Sequence, residues 1–433
     1  MDRSILADLS KWKEKEGRKP LILWGARQTG KTWALREFGR TQFDNFVYIS
    51  FFNNKKMAAV FDEDYDVRRI INAIEIHTHT RIDPAKSLIV FDEVQNAGRV
   101  VESLKYFCED APEYAVVAAG SLLGVALHED ISFPVGKVDE LFLHPMSYRE
   151  FLLAMEENRL AAYLTQADTE RINEFRESYI SLLKQYMLVG GMPEVVAHYA
   201  AHRDLDEARQ IQLSILHQYE GDFGKHIPAK EIARVRMVWD AIPAQLSKEN
   251  RKFFFGGIKK GARSGEYELA IQWLCDAGLV RRVHKVAKPA VPLKSYREQT
   301  AFKLFFSDTG LLCAMSELEA ASLFREDRIF TEFKGALTEQ FVQQELAAET
   351  AYSLCYYASE KSAYEVDFLL QKNGAIAPLE VKAGENLKSH SLKVFHEKFH
   401  PPLSYRTSLS GYREQDWMVN IPLWAIALLP SLP

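Results

Sequence analysis

The sequence predicts an α/β protein built from several domains. In the N-terminal third, an apolar strand at Leu21–Trp24 leads directly into a glycine-rich loop and a helix. A second apolar strand at 88–91 ends in the two carboxylates Asp92 and Glu93. A stretch near the C-terminus, 365–384, carries charged residues on two further strands. Parallel α/β sheets bind ligands at the carboxyl ends of their strands, so the first two observations predict one binding crevice.

Length and composition limit the class of protein. The chain has 433 residues, which suggests two to four domains of roughly 100–200 residues each. Hydrophobic residues make up 47% and charged residues 26%, as in a packed, soluble, globular protein. The N-terminus shows no secretory signal, and the longest apolar runs are too short to span a bilayer. The four cysteines are widely separated, so we expect a cytoplasmic protein with neither a zinc site nor a disulfide framework.

Residues 25–32, GARQTGKT, match the G-x4-G-K-[ST] phosphate-binding pattern in full. Its glycines let backbone N–H groups turn toward phosphate oxygens, and the helix that follows adds the positive end of its dipole. Lys31 provides a positive charge for the β- and γ-phosphates, and the Thr32 hydroxyl is a Mg²⁺ ligand. The pattern predicts ATP and Mg²⁺ as ligands. The predicted nucleotide-binding residues are Gly25, Gln28, Thr29, Gly30, Lys31, Thr32, Asp92 and Ser121.

Two further strands complete the predicted crevice. Asp92 stands at a strand end where a carboxylate can hold the Mg²⁺ shell, and Glu93 is the predicted catalytic base that polarises the attacking water. Ser121 follows a third strand at 116–119, where a polar side chain can sense the γ-phosphate. A serine in an ordinary turn has the same sequence signature, so that alternative stays open.

The middle of the chain is helical and then basic. Residues 151–222 carry apolar residues at helical spacing, with a break at 190–194, GGMPE. Residues 225–300 contain 16 Lys and Arg against 7 Asp and Glu, a local charge of +9 in a chain of net charge −5. Such a segment is typical of a nucleic-acid contact, and a solvated basic face is the alternative.

Within this segment, helix, turn, helix and basic strand follow each other in the order of a winged helix. That module contacts phosphates near its second helix and on its wing hairpin. A winged helix that serves for packing or dimerisation has the same pattern. The basic residues concerned are Lys248, Arg251, Lys252, Lys259, Lys260 and Arg263 before the second helix, and Arg281 and Arg282 on the wing.

The stretch 365–384, EVDFLLQKNGAIAPLEVKAG, predicts two strands joined by a short turn. Asp367 lies on the first strand, Glu380 and Lys382 share one side of the second, and Glu339 lies on the preceding helix. This ordered set resembles the PD-(D/E)xK nuclease core, with Mg²⁺ bound by the three carboxylates and Lys382 orienting or deprotonating water. Asp367, Glu380 and Lys382 are therefore predicted catalytic residues. A charged cross-strand pair on a solvated sheet is the alternative.

Together these motifs resemble the prokaryotic AAA-superfamily ATPases that carry a C-terminal domain of unknown function similar to restriction endonucleases. The resemblance rests on the phosphate-binding loop, FDEVQNA, GSLLG, LHPMSYREF, LVGGMPEVV, FFSDTGLL and EVDFLL…PLEVKAG, which span nearly the whole chain in the family's order. It implies a P-loop AAA-type ATPase core over 1–155, a helical lid over 156–224, a winged-helix-like module over 225–295 and an α/β nuclease-like domain over 296–433.

One departure from the family concerns the charge of the transition state. The family usually shows Gly-Arg before the HPMSYREF segment, whereas this chain has Gly136-Lys137. Lysine lacks the planar bidentate fork of arginine, so hydrolysis is expected to be slow or to use another arginine. Arg27 and Arg99 are the candidates. Because AAA relatives often form rings, a homo-oligomer is among the expected states.

Two functions of different classes follow. In the first, an ATPase controls a C-terminal half that binds DNA and resembles a nuclease. In the second, ATP acts as a slow switch, and the C-terminal half binds DNA or a protein partner without cleavage. Slow turnover without stimulation by DNA and without metal-dependent cutting favours the second.

Overall fold

The computed structural model describes residues 2–120, 133–247, 252–319, 331–350, 352–359, 364–384 and 388–430. They form two compact units. The first contains Asp2–His144 and Asp276–Gly278, and the second contains Pro145–Cys275 and Leu279–Pro433. The first holds a parallel sheet and the second a mixed sheet, which confirms the predicted α/β class.

A five-stranded sheet of order β2-β3-β4-β1-β5 forms the centre of the described part of the first unit, and all its pairings are parallel. The strands are β1 (Leu21–Trp24), β2 (Asn45–Ser50), β3 (Ser87–Asp92), β4 (Ala115–Ala119) and β5 (Asp139–Phe142). The helices are α1 (Ile5–Glu14), α2 (Lys31–Gln42), α3 (Lys55–Glu63), α4 (Val67–Thr78) and α5 (Gly98–Asp110). Strand, loop and helix at residues 21–42 are thus confirmed.

Both faces of this sheet are covered by helices. Ile89 and Phe91 of β3 pack into an apolar cluster with α3, α4 and α5. Leu88 and Val90 of the same strand pack into a second cluster with α1 and α2. Successive side chains of a strand point to opposite faces, so a strand covered on both sides needs a continuous apolar run. This explains why the run SLIVF is buried throughout.

The second unit begins with a run of helices, as predicted for residues 151–222. The helices are α6 (Tyr148–Ala154), α7 (Asn158–Gln166), α8 (Thr169–Glu174), α9 (Arg176–Val189), α10 (Pro193–His202), α11 (Leu205–His226) and α12 (Ala229–Leu246). A capping box begins α6: the Ser147 hydroxyl accepts from the Glu150 N–H, and the Glu150 carboxylate accepts from the Ser147 N–H.

The described remainder of the second unit is built around an eight-stranded mixed sheet of order β12-β13-β11-β10-β9-β8-β6-β7. Its strands are β6 (Val280–Val286), β7 (Arg297–Phe306), β8 (Cys355–Ala358), β9 (Glu365–Lys372), β10 (Ala375–Val381), β11 (Ser404–Ser408), β12 (Arg413–Glu414) and β13 (Met418–Pro422). The accompanying helices are α13 (Ser264–Asp276), α14 (Thr309–Met315), α15 (Thr331–Glu349) and α16 (His390–Phe399).

The sheet includes the hairpin that the sequence predicts as a wing. Strand β6 pairs antiparallel with β7 and parallel with β8, so the hairpin forms one edge of the large sheet. The predicted boundary between 295 and 296 therefore falls between two paired strands. Local sequence indicates the hairpin, but the pairing with β8 involves residues far along the chain. The order helix, helix, hairpin agrees with a winged helix, and that interpretation stays a prediction.

Candidate functional site

The loop at 25–30 lies against neighbouring backbone at the carboxyl end of β1. A Cβ on Gly25 would lie 2.5 Å from the carbonyl oxygen of Leu143, so only glycine fits there. Gln28 and Gly30 have φ angles of +65° and +92°, in the left-handed region that favours glycine. The buried Thr29 hydroxyl donates to the carbonyl oxygen of Ala26 at 2.9 Å. Steric fit and an internal hydrogen bond thus shape the phosphate-binding loop.

Lys31 is buried at the start of α2. Its ammonium group donates to the carbonyl oxygens of Gly25 at 2.8 Å and Ala26 at 2.7 Å. Burial lowers the pKa of Lys31 to about 8, although the charges of Asp92 and Glu93 oppose this shift. Lys31 therefore lies within the loop, where phosphate oxygens can replace the two carbonyl oxygens.

Thr32 and Asp92 are in direct contact. The Thr32 hydroxyl donates to Asp92 Oδ2 at 2.8 Å, and the Tyr48 hydroxyl donates to the same oxygen at 2.7 Å. The Glu93 N–H donates to Asp92 Oδ1 at 2.9 Å. Hydroxyl and carboxylate oxygens are the ligands that Mg²⁺ takes beside phosphates, so Thr32 and Asp92 fit that ion.

Glu93 follows β3 with a φ of +57°, an uncommon conformation for a residue with a side chain. The Gln95 amide donates to its carboxylate. The carboxylate is close enough to raise the pKa of Lys31. Strained backbone of this kind costs on the order of 1–3 kcal/mol and occurs often at functional sites. The position thus suits the predicted catalytic base.

Two supporting residues lie outside any sequence motif. Arg3, which is almost fully buried, donates to the carbonyl oxygens of Thr29 at 3.0 Å and His144 at 2.7 Å. It therefore ties the phosphate-binding loop to the segment after β5. Tyr48 on β2 supports Asp92, and its only sequence signal is a polar group in a mostly apolar strand.

The three candidates for stabilising the negative charge of the transition state, Lys137, Arg99 and Arg27, have different surroundings. Lys137 pairs with Glu109 at 2.8 Å. Arg99 lies over the Tyr65 ring at 4.7 Å and donates to the Tyr65 hydroxyl at 3.0 Å. Arg27 belongs to the phosphate-binding loop itself, and its charge lowers the pKa of Lys31. Ser121, the predicted γ-phosphate sensor, lies outside the described residues.

In the second unit, β9 and β10 form the predicted hairpin, with Phe368 opposite Leu379. This register puts Asp367 beside the end of β10, where its Oδ2 accepts from the Val381 N–H at 2.7 Å. The Lys382 ammonium pairs with Glu380 Oε1 at 2.6 Å. The structure therefore brings Asp367, Glu380 and Lys382 together.

Glu339 has a partner that the sequence did not suggest. Its carboxylate pairs with the ammonium of Lys303 at 3.3 Å, and Lys303 also pairs with Glu365 at 2.5 Å. A fully buried ammonium group requires such compensation. Within the ranges that the structure describes, no group of three or more His, Cys, Asp or Glu side chains is placed to hold a metal ion. This arrangement differs from the predicted three-carboxylate site, because Lys303 engages Glu339.

Glu380 is buried, and its Oε2 has no hydrogen-bond partner in the described part of the chain. Burial raises the pKa of Glu380, and Lys382 partly offsets that shift. Arg406 lies opposite Glu380 in the pairing of β10 with β11, and it donates to Asn420 at 2.9 Å. A buried carboxylate oxygen that lacks a donor is suited to a cation, so Asp367 and Glu380 fit a divalent ion.

The predicted phosphate contacts lie in two regions. Arg282 on β6 pairs with Glu268 at 2.6 Å and packs over the Phe302 ring at 4.7 Å, and Arg281 is its neighbour on the strand. Lys248 and Arg251 lie outside the described residues. Four cations form an exposed "basic turn" between α12 and α13. They are Lys252, Lys259, Lys260 and Arg263.

No helix made by the described residues combines the length and apolarity needed to cross a membrane. The parallel sheet, the phosphate-binding loop and the contact between Thr32 and Asp92 define the first unit as a P-loop ATPase core. Residues 17–152 match a family model described as an AAA domain. Residues 180–322 and 334–426 match models described as domains of unknown function, DUF8612 and DUF4143. The chain therefore contains an AAA domain and a C-terminal domain of unknown function, as the resemblance predicted.

Solved structures show distant similarity. The Walker-type ATPase PABY2304 of Pyrococcus abyssi is 14% identical, with a TM-score of 0.45 over 73% of this chain and 95% of that chain. The Aeropyrum pernix ORC1 protein, solved in complex with DNA, is 12% identical, with a TM-score of 0.27 over 74% of this chain and 92% of that chain. Cdc6p from Pyrobaculum aerophilum is 15% identical, with a TM-score of 0.26 over 74% of this chain and 93% of that chain. No curated protein matches the chain.

Proposed function

We propose that the protein hydrolyses ATP at the P-loop and that its nucleotide state controls a C-terminal unit that binds nucleic acid. The observation that carries the first part is the 2.8 Å hydrogen bond between Thr32 and Asp92. It joins the phosphate-binding motif after β1 to the carboxylate at the end of β3, which lies two positions away in the sheet. A hydroxyl and a carboxylate in this arrangement are what a Mg²⁺-nucleotide site requires.

The roles of the residues follow from their positions. Lys31 exchanges its two carbonyl partners for oxygens of the β- and γ-phosphates, which the loop N–H groups also bind. Thr32 and Asp92 would hold Mg²⁺, which supplies charge neutralisation at the phosphates when bound. Glu93 polarises the attacking water and accepts its proton. Arg27 provides the positive charge near the loop that Lys137, paired with Glu109, does not provide.

Phosphate release from Mg²⁺-ATP tests this assignment. We expect Glu93→Gln to lower kcat by roughly 10²–10⁴-fold while ATP binding is kept, because it removes the base alone. Lys31→Ala should lose ATP binding. Glu113→Gln and Lys11→Ala are the matched controls, since both side chains are exposed in the same unit. Full turnover in both test variants would reject the site.

The nucleic-acid part of the proposal rests on the basic turn. Lys259, Lys260 and Arg263 are exposed, and Phe254 close by in sequence is 63% exposed. Cations that contact DNA phosphates release counterions, so the affinity falls with salt. An exposed aromatic ring offers a surface on which a base can stack.

Fluorescence anisotropy with duplex and single-stranded DNA at about 50 and 200 mM salt measures this contact. The triple variant of Lys259, Lys260 and Arg263 to Ala should bind more weakly and show a salt slope smaller by about 0.9 for each phosphate that it no longer neutralises. The matched control replaces three exposed lysines of the first unit, Lys11, Lys55 and Lys56, by Ala. Equal affinity and slope in the two triple variants would contradict a nucleic-acid role for the basic turn.

A second candidate function is metal-dependent cutting of DNA by the C-terminal unit. Glu380 lies near Asp367, and its buried Oε2 lacks a partner among the described residues. This pair of carboxylates favours a metal-dependent reaction. Asp367 and Glu380 would hold Mg²⁺, which supplies a Lewis acid for phosphodiester hydrolysis when bound. Lys382, paired with Glu380, would orient the attacking water. The alternative is a unit that binds DNA or a protein partner without cleavage.

A cleavage assay separates these two cases. It uses plasmid and linear DNA with Mg²⁺ or Mn²⁺, with and without ATP. Asp367→Asn removes the charge but keeps an acceptor for the Val381 N–H, so the hairpin should stay folded. Asp416→Asn is the control, because Asp416 is exposed and lies between β12 and β13 at one edge of the same sheet. Cutting that disappears only in Asp367→Asn supports the nuclease. Salt-sensitive DNA binding without cutting supports the ATP-dependent switch.

A further inference from the structure

A polar cavity of about 630 Å³ opens in the second unit beside β6. Its walls come from α13, β6, the start of β7, the end of α15 and the segment before β8. Three arginines are among its lining residues, Arg281, Arg282 and Arg297. Among its described lining residues Glu268 is the one carboxylate, and it already pairs with Arg282 at 2.6 Å. The cavity wall is therefore net positive.

The sheet topology explains why a cavity exists here. The described pairing of β6 with β8 covers only His284 and Lys285. The preceding residues of β6, Val280–Val283, all border the cavity. Strand β6 thus extends beyond the start of β8, and the two arginines lie on the extended part.

Two buried polar atoms of the lining residues have no hydrogen-bond partner within the described ranges. They are Nη2 of Arg282, a donor, and Oε1 of Gln343, an acceptor. A buried polar group without a partner is unfavourable, so a ligand that accepts one bond and donates another would compensate both. Phosphate oxygens accept hydrogen bonds, and the hydroxyl groups of a sugar donate them.

The electrostatics also favour an anion. Burial lowers the pKa of Arg281 to about 10. Burial lowers the pKa of His284 in the same wall, and the charges of Arg282 and Arg297 lower it further. The Arg297 Nε donates to the Cys355 thiol at 3.3 Å, a neutral and weak acceptor. Cations that line one partly buried wall repel one another, which is electrostatically unfavourable. A bound anion would offset this repulsion.

We propose that this cavity binds a small phosphate-bearing molecule of about the size of a nucleoside monophosphate, with Arg282 and Arg297 contacting the phosphate and Arg281 adding positive charge to the wall. Guanidinium groups match phosphate with paired hydrogen bonds, and the cavity volume lies within the range of about 300–1,000 Å³ typical of ligand sites. All residues of this site belong to the second unit, so it is a different site from the P-loop. It is also different from the basic turn.

Isothermal titration of the full chain carrying Lys31→Ala, which is expected to lose nucleotide binding at the P-loop, tests the proposal. The probes are cytidine 5′-monophosphate, pyrophosphate, and cytidine as the matched neutral molecule. We expect cytidine monophosphate or pyrophosphate to bind once per chain and cytidine to show no binding. Binding of pyrophosphate alone supports an inorganic phosphate ligand, and binding of cytidine monophosphate supports a nucleotide.

Variants of Arg297 connect that binding to the cavity. Arg297→Ala should weaken phosphate binding by roughly tenfold or more, and Arg297→Lys should recover part of the affinity because it restores the charge without the fork. Lys294→Ala, an exposed cation three residues earlier, is the control and should bind normally. Thermal unfolding checks that each variant is folded. The proposal is overturned if cytidine binds as well as its monophosphate, if no probe binds the Lys31→Ala chain, or if both Arg297 variants made in that chain bind normally.

Discussion

The carboxylate of Asp308 accepts a 2.5 Å hydrogen bond from the N–H of Gly191, which is 117 residues away in sequence. Its other oxygen accepts from the Leu311 N–H at 2.9 Å and caps α14. Gly190 has a φ of +75°, and a Cβ there would lie 2.2 Å from Asp308 Oδ1. The motifs LVGGMPEVV and FFSDTGLL, which contribute to the family resemblance, therefore meet inside the second unit and serve its packing.

The burial of Asp308 makes the free energy of unfolding depend on pH. Burial raises the pKa of Asp308 to about 6, against about 4 in a solvated chain. The folded state binds this proton more tightly, so its contribution to stability grows as the pH falls from about 6 to about 4. Asp308→Asn resembles the neutral form of the side chain. We expect it to reduce the pH-dependent change in the free energy of unfolding by on the order of 2–3 kcal/mol.

Urea unfolding at about pH 4.5 and 7 measures the difference. The buried Glu345 also has a raised pKa, and it is present in both proteins, so the comparison isolates Asp308. Asp416→Asn is the exposed control. An identical change in unfolding free energy between the two pH values in Asp308→Asn and the unchanged chain would contradict the assignment.

Nucleotide affinity should fall above about pH 8. Burial lowers the pKa of Lys31 to about 8, and a phosphate beside the ammonium would raise it again. Binding therefore takes up a proton above that pH, and we expect the Kd for ADP to rise by up to about tenfold per pH unit. Calorimetry in two buffers of different ionisation enthalpy measures the proton uptake. Lys31→Arg stays charged, so a pH-dependent Kd of the same slope in that variant would exclude Lys31 as the cause.

Tyr48 should act as a positioning residue for Asp92. Burial, aided by the hydrogen bond to Asp92, raises the pKa of Tyr48 to about 12, so its hydroxyl stays a donor. Tyr48→Phe removes that donor but keeps the ring, over which Arg36 lies at 4.9 Å. We expect the Mg²⁺ concentration that gives half-maximal ATP hydrolysis to rise by roughly fivefold. This corresponds to a loss of about 1 kcal/mol in the free energy of Mg²⁺ binding. Tyr106→Phe, in the same unit, is the control, and identical Mg²⁺ titrations of both variants would argue against this role.

The buried pairs of Lys303 should be important for stability. Lys303→Met leaves Glu339 and Glu365 without that ammonium group, and breaking such a buried pair costs about 3–5 kcal/mol. The double variant with Glu339→Gln should recover part of the loss, since one uncompensated charge is removed. Urea unfolding measures both. The exposed Lys393→Met is the control, and equal unfolding free energies in the two lysine variants would contradict the prediction.

Local features of the chain were sufficient for much of the architecture. Glycine positions and short apolar runs predicted the phosphate-binding loop between β1 and α2, and helical spacing predicted the helices after residue 151. The hairpin at 365–384 was also evident from nearby residues. Backbone sterics, turn geometry and hydrophobic periodicity act over a few residues, and the sequence alone therefore settles them.

Side-chain partners across distant segments depended on the tertiary structure. The sequence placed Glu339 with two other carboxylates, but the fold pairs it with Lys303 of β7, an apparently ordinary lysine. The predicted wing arginine Arg282 lies on β6, between β7 and β8 in the large sheet, and it pairs with Glu268 of α13. Pairing of strands and compensation of buried charge are decided by all the segments that pack together, so no local pattern could have predicted these contacts.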